Sequence, residues 1–304
     1  MYDIIIIGSG CAGMTAAIYA CRASMKVLLL ESELVGGQIA YSHRVENFPS
    51  VEAIDGATFS ERLLDQATSF GAEFKFEAVS TLRESENGWT VTTDSGEYEG
   101  KAIIIAVGMK RRLLGVEGEE ELTGAGVSYC AVCDGSFFAN QDVAIVGGGQ
   151  TALQDALYLA DICKSVTLIH RREGFRADET TVRAVKNNPK VKMVLNARVT
   201  KIAGESSIEH LEIEDIPSGN ITKMPVDGLF VAIGNLPATT PFKDIIELDG
   251  EGFVLASEDC HTSKKGIFVA GDCRQKTVRQ LTTAASDGSV AALAASEYVR
   301  GLSI

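Results

Sequence analysis

The sequence is short of basic residues and of long apolar runs. Its 304 residues include 28 Lys and Arg against 41 Asp and Glu, a net charge of -13, which argues against general binding to nucleic acid or to an anionic membrane surface. The longest apolar runs, at 4–7 and 102–107, fall far short of the ~20 residues that cross a bilayer. The first residues also lack the positive charge of a secretory leader. We therefore expect a cytoplasmic protein with no nucleic-acid or membrane partner.

The cysteines lack the pattern of a disulfide framework. There are seven, an odd number scattered along the chain, which suits a reducing compartment. Only Cys130 and Cys133 form a close pair, and Asp134 follows them directly. Structural zinc needs about four ligands, and neither Cys260 nor Cys273 belongs to a second pair, so we predict no metal site. A redox dithiol with Asp134 as its acid or base is favoured, against the alternatives of two buried core cysteines and a turn-capping aspartate.

A glycine-rich fingerprint follows the first apolar run, with glycines at positions Gly8, Gly10 and Gly13, and Glu31 stands 23 residues after Gly8. Such glycines permit a tight turn and a close approach of backbone to a pyrophosphate at the N-terminus of the next helix. A carboxylate at the position of Glu31 accepts hydrogen bonds from a ribose. The pattern predicts a dinucleotide site, although a single fingerprint of this kind also occurs in plain strand-to-helix turns.

The fingerprint recurs at Gly147, Gly149 and Ala152, and the residue 23 positions after Gly147 is now His170. A cluster of arginines follows: Arg171, Arg172 and Arg176. Arginine pairs bidentately with phosphate, so in an acidic chain this cluster favours the 2'-phosphate of NADPH, with a solvated basic surface as the alternative. The two fingerprints together predict two different dinucleotides on one chain.

Matched landmarks predict an α/β fold of two Rossmann-like, three-layer dinucleotide-binding domains. Each half has a strand, turn, helix and strand, then polar alternating segments typical of a smaller antiparallel sheet, then an apolar strand ending at Gly108 or Gly234. A third such strand, at 266–271, has no fingerprint before it. It must complete an earlier sheet, so we expect the second dinucleotide-binding domain to be inserted into the first through a hinge. The expected boundaries are 1–114, 115–241 and 242–304.

The chain resembles the low-molecular-weight, bacterial-type thioredoxin reductases over nearly its whole length. The resemblance rests on the two fingerprints and on the segments 128–135, 170–176, 270–272 and 279–280. It implies FAD in the first domain, NADPH in the inserted one, and a homodimer. It also implies that Cys133 faces the flavin, that Cys130 attacks the disulfide of thioredoxin, and that Asp134 handles protons. Further flavin contacts are implied at Gly36, Gly37, Gln38, Asn47, Gly108, Asp272, Arg279 and Gln280.

The implied activity is NADPH-dependent reduction of thioredoxin, with rotation of the inserted domain between half-reactions. The rotation is needed because the dithiol and the nicotinamide share a domain and cannot reach the flavin together. A dithiol oxidase of the same fold is the main alternative, but it needs no arginine cluster. A flavoprotein redox sensor or a ferredoxin reductase would not need Cys130 and Cys133. The sequence departs from the family pattern at Cys11, Cys273 and the pair 154–155. Ala125 stands where some relatives carry a basic residue that helps to hold thioredoxin, so the resemblance does not fix the affinity for the partner.

Overall fold

The computed structural model of the chain describes residues 1–42 and 44–301. The strands are β1 (Tyr2–Ile7), β2 (Val27–Glu31), β3 (Glu73–Phe76), β4 (Val79–Ser85), β5 (Gly88–Thr93), β6 (Glu97–Ile105), β7 (Met109–Arg111), β8 (Val127–Ser128), β9 (Asp142–Val146), β10 (Ser165–His170), β11 (Val191–Leu195), β12 (Ala197–Ala203), β13 (His210–Asp215), β14 (Ile221–Pro225), β15 (Gly228–Val231), β16 (Asn235–Pro237) and β17 (Ile267–Val269). The α-helices are α1 (Cys11–Arg22), α2 (Gly56–Ser69), α3 (Ala131–Asp134), α4 (Gln150–Ile162), α5 (Glu179–Asn187) and α6 (Leu281–Val299). None of the helices in this described part of the chain is both long and apolar enough to span a bilayer.

The chain divides into two compact units. Unit 1 comprises Met1–Lys110 and Leu236–Ile304, and unit 2 comprises Arg111–Asn235. The strands at the two crossing points, β7 and β16, pair with each other as a two-stranded sheet. Unit 2 is therefore continuous in sequence and interrupts unit 1.

Unit 1 is built on a seven-stranded sheet in the order β3-β2-β1-β6-β5-β4, with β17 paired to β6. The pairings of β1 with β2 and β6, and of β17 with β6, are parallel. The four isoleucines of β1 are at most 5% exposed, because strands buried on both faces of a parallel sheet read as continuous apolar runs. The late apolar strand, β17, completes the sheet of unit 1, as the sequence predicts.

Strand β6 takes part in two kinds of pairing. Its first residues pair antiparallel with β5, from Glu97 to Gly100, and its later residues pair parallel with β1 and β17. The nine residues of β6 are long enough for both. The polar segments β4 and β5 thus extend the main sheet, and the expectation of a separate small sheet in this half is wrong.

Unit 2 has the two sheets that the sequence predicts. A five-stranded sheet in the order β11-β10-β9-β15-β8 carries the nucleotide fingerprint between β9 and α4. A separate antiparallel sheet is formed by β12, β13 and β14. Both fingerprints therefore lie where a central parallel strand passes into a helix, at the carboxyl edge where α/β folds bind ligands.

Helix α6 packs closely against α1 through small residues. A Cβ added at Gly288 would lie 2.2 Å from the carbonyl oxygen of Ala12 in α1, and Ala291, Ala292 and Ala295 are fully buried. The alanine-rich composition of this segment thus serves a close helix contact next to the first glycine turn.

We expect Gly288→Ala to lower the thermal midpoint of the flavin-loaded protein by about 6 °C. Alanine gains ~1 kcal/mol of helix propensity over glycine, but the backbone clash with Ala12 should cost more, leaving a net loss of about 2 kcal/mol. Gly96→Ala is the matched control, because a Cβ there meets no atom within 4 Å. Equal midpoints for the two variants would contradict this account of the α1–α6 contact.

Candidate functional site

The first glycine turn leaves no room for side chains at two of its positions. A Cβ at Gly8 would lie 2.4 Å from the carbonyl oxygen of Ala106, and one at Gly13 would lie 1.9 Å from the carbonyl oxygen of Gly8. Gly8 also has φ +105°, a conformation that L side chains rarely adopt. These glycines are fixed by the tight packing of β1 and α1 rather than by a ligand.

Gly10 is different, because its surroundings are open. The nearest atom to a Cβ at Gly10 would be the carbonyl oxygen of Gly36, at 3.8 Å. Gly10 is the N-cap of α1, and no described side chain caps it and no acidic residue lies in the first turn. The N-terminal N–H groups of α1 are thus available to an anion such as a pyrophosphate.

Glu31 is held at the end of β2 by four hydrogen bonds. Its Oε2 accepts from the backbone N and the Oγ of Ser9, at 2.8 and 2.9 Å. Its Oε1 accepts from the backbone N of Ser32 and Glu33, at 2.7 and 2.9 Å. The carboxylate is therefore oriented beside the glycine turn, at the position where a Rossmann fold binds a ribose.

The segment after β2 closes on the first glycine turn. The backbone N of Gly36 donates to the carbonyl oxygen of Ser9 at 2.9 Å, and a Cβ at Gly36 would lie 1.9 Å from Ser60 Oγ. Gly37 and Gln38 follow in a 3-10 turn. Farther along, Asn47 Nδ2 donates to Gln280 Oε1 at 3.5 Å, and Gln280 is also the N-cap of α6.

Asp272 carries a buried acceptor atom that has an ion-pair contact but no hydrogen bond among the described residues. Its Oδ1 has no hydrogen bond within residues 1–42 and 44–301, although Lys276 Nζ lies 3.5 Å away. Burial raises the pKa of the Asp272 carboxyl, while the charges of Lys276 and Arg279 oppose that shift. A buried polar atom of this kind normally has a hydrogen-bond donor, so Oδ1 fits a ligand hydroxyl, as a flavin's ribityl chain would supply.

A buried ionic cluster that the sequence analysis missed holds the turn before Asp272. Asp287 of α6 accepts from the backbone N of Gly271 at 3.0 Å. Arg274 Nη2 lies 3.0 Å from Asp287 Oδ1, and Lys276 Nζ lies 3.1 Å from Asp287 Oδ2. These three charged side chains are at most 6% exposed. Buried charges require partners. In the sequence, the one signal for this cluster is Asp287 itself, a charged residue in a helix segment otherwise rich in small residues.

The remaining predicted flavin contacts also belong to unit 1. Gly108 has φ +59° directly before β7, and a Cβ there would meet nothing within 4 Å. Arg279 stacks its guanidinium 4.2 Å from the ring centre of Phe253, and its Nε donates to the carbonyl oxygen of Asp272 at 3.3 Å. Stacking and this hydrogen bond restrict the positions that the Arg279 side chain can take.

The second glycine turn repeats the steric pattern of the first. A Cβ at Gly147 would lie 2.4 Å from the carbonyl oxygen of Ala232 and 2.5 Å from Ala152 Cβ, whereas one at Gly149 would meet nothing within 4 Å. Gly149 is the N-cap of α4, again with no capping side chain among the described residues. The N-terminus of α4 is thus a second open anion site on a helix longer than three turns.

His170 takes a structural position in the second site. Its ring lies against Gly148, where a Cβ would be 2.0 Å from the ring, and it stacks on Phe175 with a centroid distance of 5.4 Å. Its Nε2 donates to the carbonyl oxygen of Gly174 at 3.1 Å. Burial lowers the pKa of His170; the bond to Gly174 opposes this, and the charges of Arg172 and Arg171 reinforce it. A neutral His170 therefore closes the loop that carries the arginines.

The arginines of this loop are exposed to solvent. Arg171, Arg172 and Arg176 all have exposed side chains. The backbone N of Arg176 donates to the carbonyl oxygen of Gly148 at 2.7 Å, which ties the loop to the glycine turn. No ion pair involves these arginines in the part of the chain that the structure describes, so their guanidinium groups are free to bind a phosphate.

Cys130 and Cys133 form a disulfide at the start of the short helix α3. The backbone N of Cys133 donates to Cys130 Sγ at 3.2 Å, a contact that favours negative charge on that sulfur. Asp134 ends α3, and its Oδ2 accepts from Ser128 Oγ at 2.6 Å. The structure thus brings the predicted thiols and acid together and adds Ser128 to them.

The residue before the disulfide is anchored to a buried glutamate. Tyr129 donates to Glu119 Oε1 at 2.8 Å, and Glu119, only 1% exposed, also accepts from the backbone N of Leu114 and Gly115. Burial is the main cause that raises the pKa of Tyr129 above its usual range, and the hydrogen bond to Glu119 is the second. The phenol therefore stays protonated and acts as an anchor.

The three buried free cysteines of unit 1 are poor nucleophiles. Burial raises the pKa of Cys11 to about 11 and the pKa of Cys260 and Cys273 each to about 12. Cys11 and Cys273 donate to backbone carbonyl oxygens at 3.5 Å. The two departures from the family pattern are thus core thiols. No group of three or more potential metal-ligating His, Cys, Asp or Glu side chains occurs among the residues described.

Comparisons with known proteins agree with this geometry. The family model described as pyridine nucleotide-disulphide oxidoreductase matches residues 2–288. The chain is 40% identical over 303 residues to the thioredoxin reductase of Listeria monocytogenes, covering 99% of this chain and 95% of the relative. It is 39% identical to a thioredoxin reductase crystal structure from Streptococcus pyogenes, with a TM-score of 0.96 and 99% of both chains covered.

A second solved relative has nearly the same identity but a lower structural score. The Lactococcus lactis thioredoxin reductase, described as being in the FR conformation, is 37% identical with a TM-score of 0.68, and the match covers 99% of this chain and 100% of that one. The fold, the paired cysteines and these full-length matches agree: the chain belongs to the pyridine nucleotide-disulphide oxidoreductase family and, within it, to the thioredoxin reductases.

Proposed function

We propose that this chain transfers electrons from NADPH, through FAD and the Cys130–Cys133 disulfide, to the disulfide of a thioredoxin. The observation that carries the proposal is the disulfide with Asp134 beside it, on a unit that also has an open glycine turn and an arginine loop. The relatives named thioredoxin reductase match the whole length of the chain. A nucleotide site and a redox disulfide on one chain are the parts that such an electron transfer needs.

Unit 1 holds the residues for FAD. The open N-terminus of α1 at Gly10 would bind the pyrophosphate, Glu31 the adenosine ribose, and Asp272 Oδ1 a ribityl hydroxyl. The other members of this set are Gly8, Gly13, Gly36, Gly37, Gln38, Asn47, Gly108, Arg279 and Gln280. FAD, when bound, supplies two-electron transfer between NADPH and the disulfide. The protein's own contribution is to orient these groups and to keep the cluster around Asp287 paired.

Unit 2 holds the residues for NADPH. The N-terminus of α4 at Gly149 would bind the pyrophosphate, with Gly147 and Ala152 shaping the turn. Arg171, Arg172 and Arg176 would bind the 2'-phosphate, which NADH lacks. His170 would act through the loop, since its buried ring contacts Gly148 and Gly174 and leaves the arginines to contact the ligand.

The disulfide passes electrons to the partner by thiol–disulfide exchange. Cys133 would receive the electron pair on the flavin side, and Cys130 would attack the partner's disulfide. The N–H of Cys133, 3.2 Å from Cys130 Sγ, would stabilise the attacking thiolate. Asp134 would take up and return the proton. The chemistry thus needs one acid–base group next to the nucleophile.

Rotation of unit 2 between two arrangements follows from the location of the groups. The disulfide and the arginine loop both lie on unit 2, and each half-reaction needs one of them at the flavin. Support comes from two relatives of similar identity with TM-scores of 0.96 and 0.68, because relatives that match this chain so differently must differ from each other in backbone arrangement. We extend the proposal to domains at 1–114, 115–241 and 242–304, to a homodimer, and to a cytoplasmic location.

Anaerobic oxidation of NADPH tests the whole relay. NADPH should bleach the flavin of both wild type and Cys133→Ser, and a thioredoxin from the same source should sustain NADPH oxidation only in the wild type, because serine cannot close the disulfide. Cys21→Ser, which changes a half-buried free cysteine, should behave as wild type. If the wild type reduces its flavin but leaves thioredoxin oxidised, the partner is another disulfide. If NADPH does not bleach the flavin, the result favours the alternative function of a dithiol oxidase. Oxygen uptake in the presence of a small dithiol would then measure that oxidase activity.

Steady-state kinetics with two nucleotides test the arginine loop. We expect Arg172→Ala to raise KM for NADPH about tenfold, the value of a charge-assisted hydrogen bond, with KM for NADH and kcat unchanged, because only ground-state binding of the 2'-phosphate is lost. Arg198→Ala is the matched control, since Arg198 lies on β12 and pairs with Glu214. A parallel rise of KM for both nucleotides would show that the loop does not recognise the 2'-phosphate.

Cross-linking of the connecting strands tests the rotation. The substitutions Leu113→Cys, near Gly115, and Leu236→Cys introduce one thiol on each unit at the crossing points. Joining them with a bis-maleimide should reduce thioredoxin turnover at least about tenfold while the flavin stays bound, because a hinge motion is blocked. Each single-cysteine variant and the wild type receive the same reagent as controls. Full turnover by the doubly linked protein would refute the rotation.

A further inference from the structure

Ser128 lies at the carboxyl end of the edge strand β8, two residues before Cys130. Its neighbour on the sheet is Phe230 of β15, and the side chain is 5% exposed. A hydroxyl this deeply buried needs hydrogen-bond partners. The partners of Ser128 belong to the redox segment.

The single hydroxyl proton of Ser128 is directed to Asp134. Ser128 Oγ lies 2.6 Å from Asp134 Oδ2 but 3.4 Å from the carbonyl oxygen of Cys130, so the carboxylate takes the proton donation. The same Oγ accepts from the backbone N of Cys130 at 3.1 Å. One buried hydroxyl therefore connects the backbone of the attacking cysteine with the carboxylate of the acid–base residue.

The helix fixes the main chain of Asp134. The backbone N of Asp134 donates to the carbonyl oxygen of Cys130 at 3.1 Å, which fixes the main chain of α3. Its carboxyl group accepts the hydrogen bond from Ser128 Oγ through Oδ2. The bond from Ser128, which is anchored in a sheet, gives that carboxyl a fixed direction relative to Cys130.

The orientation matters for proton transfer in the reaction with thioredoxin. Cys130 loses its proton to Asp134 and its sulfur forms a bond to one sulfur of the partner's disulfide, which breaks; the departing sulfur takes the proton back from Asp134. The Cys133 sulfur then bonds to Cys130 and releases the partner's second sulfur, whose proton comes from the Cys133 thiol. Two electrons and two protons thus pass from the enzyme dithiol to the partner.

We propose that Ser128 is a positioning residue for the exit reaction, which it serves by orienting the Asp134 carboxylate toward the sulfur of Cys130. The inference rests on the proposed acid–base role of Asp134. It predicts that the Ser128 hydroxyl contributes to thioredoxin reduction only while Asp134 is a carboxyl group. If the Ser128 hydroxyl served folding alone, its removal would lower the rate equally whether residue 134 is aspartate or asparagine.

A double-mutant cycle separates these two roles. Wild type, Ser128→Ala, Asp134→Asn and the double variant are loaded with FAD, reduced anaerobically by NADPH, and mixed with oxidised thioredoxin in single turnovers. We expect about a hundredfold loss for Asp134→Asn, about tenfold for Ser128→Ala, and no further loss in the double variant than in Asp134→Asn. The rate of flavin reduction by NADPH should be unchanged in all four.

A second pair of variants separates the effect of the side-chain shape at position 128 from the effect of its hydroxyl group. Ser128→Thr keeps the hydroxyl and should retain nearly the wild-type rate, whereas Ser128→Val, which has the same shape without the donor, should lose about tenfold. This pair replaces Ser128→Ala in the cycle if the alanine variant fails to bind flavin. Ser136→Ala, an exposed serine in the same segment, is the control for serine loss.

Two results would overturn the inference, and they differ from failure of the proposed function. A full tenfold loss from Ser128→Ala in the Asp134→Asn background would show that the hydroxyl acts independently of the carboxylate. Equal rates for Ser128→Val and Ser128→Thr would show that the hydroxyl is not used. An undiminished rate for Asp134→Asn alone would instead refute the acid–base role of Asp134 and the inference with it.

Discussion

Both proposed nucleotide sites depend on helices whose first N–H groups have no side-chain cap among the residues that the structure describes. A helix N-terminus is normally capped by Ser, Thr, Asp or Asn, as Asp55 caps α2 and Asp178 caps α5. At α1 and α4 the N-cap is glycine and no described side chain takes its place. The uncapped donors cost stability in the free protein, and an anionic ligand recovers that cost. Helix capping therefore distinguishes the two helices at the proposed nucleotide sites from α2 and α5.

Burial separates the redox cysteines from three free cysteines of unit 1. Cys11, Cys260 and Cys273 lie in the core, where desolvation raises the thiol pKa well above neutrality, so they resist exchange. Cys130 and Cys133 are only partly buried on a helix of four residues. A short helix at the end of an edge strand allows a partner's disulfide to approach, while Ser128 and Glu119 hold the segment from the sheet side. Accessible sulfur and rigid support are thus supplied by different residues.

The sequence predicts most of the local features of the sites and few of the long-range ones. Periodicity and glycine spacing predict the strand, turn and helix at each fingerprint, because they are set by neighbouring residues. The link between Asp287 and Gly271 joins residues 16 positions apart through a helix and a turn, and no local pattern marks it. The same limit explains the error at β4 and β5: alternation shows that a strand is half exposed, but not which sheet it joins.

The two units share a backbone plan and differ in what their side chains must do. In unit 1 Gly36 forms a β-bridge with Gly10, and its N–H donates to the carbonyl oxygen of Ser9. In unit 2 Arg176 forms the corresponding bridge with Gly149, and its N–H donates to the carbonyl oxygen of Gly148. A Cβ at Gly36 would strike Ser60, so this position must be glycine where the segment packs under α2. Arg176 is exposed to solvent next to Gly149, the N-cap of α4. The same backbone bridge thus closes a packed turn in one unit and presents an exposed cation beside the uncapped N-terminus of α4 in the other, a difference in side chains without a change of fold.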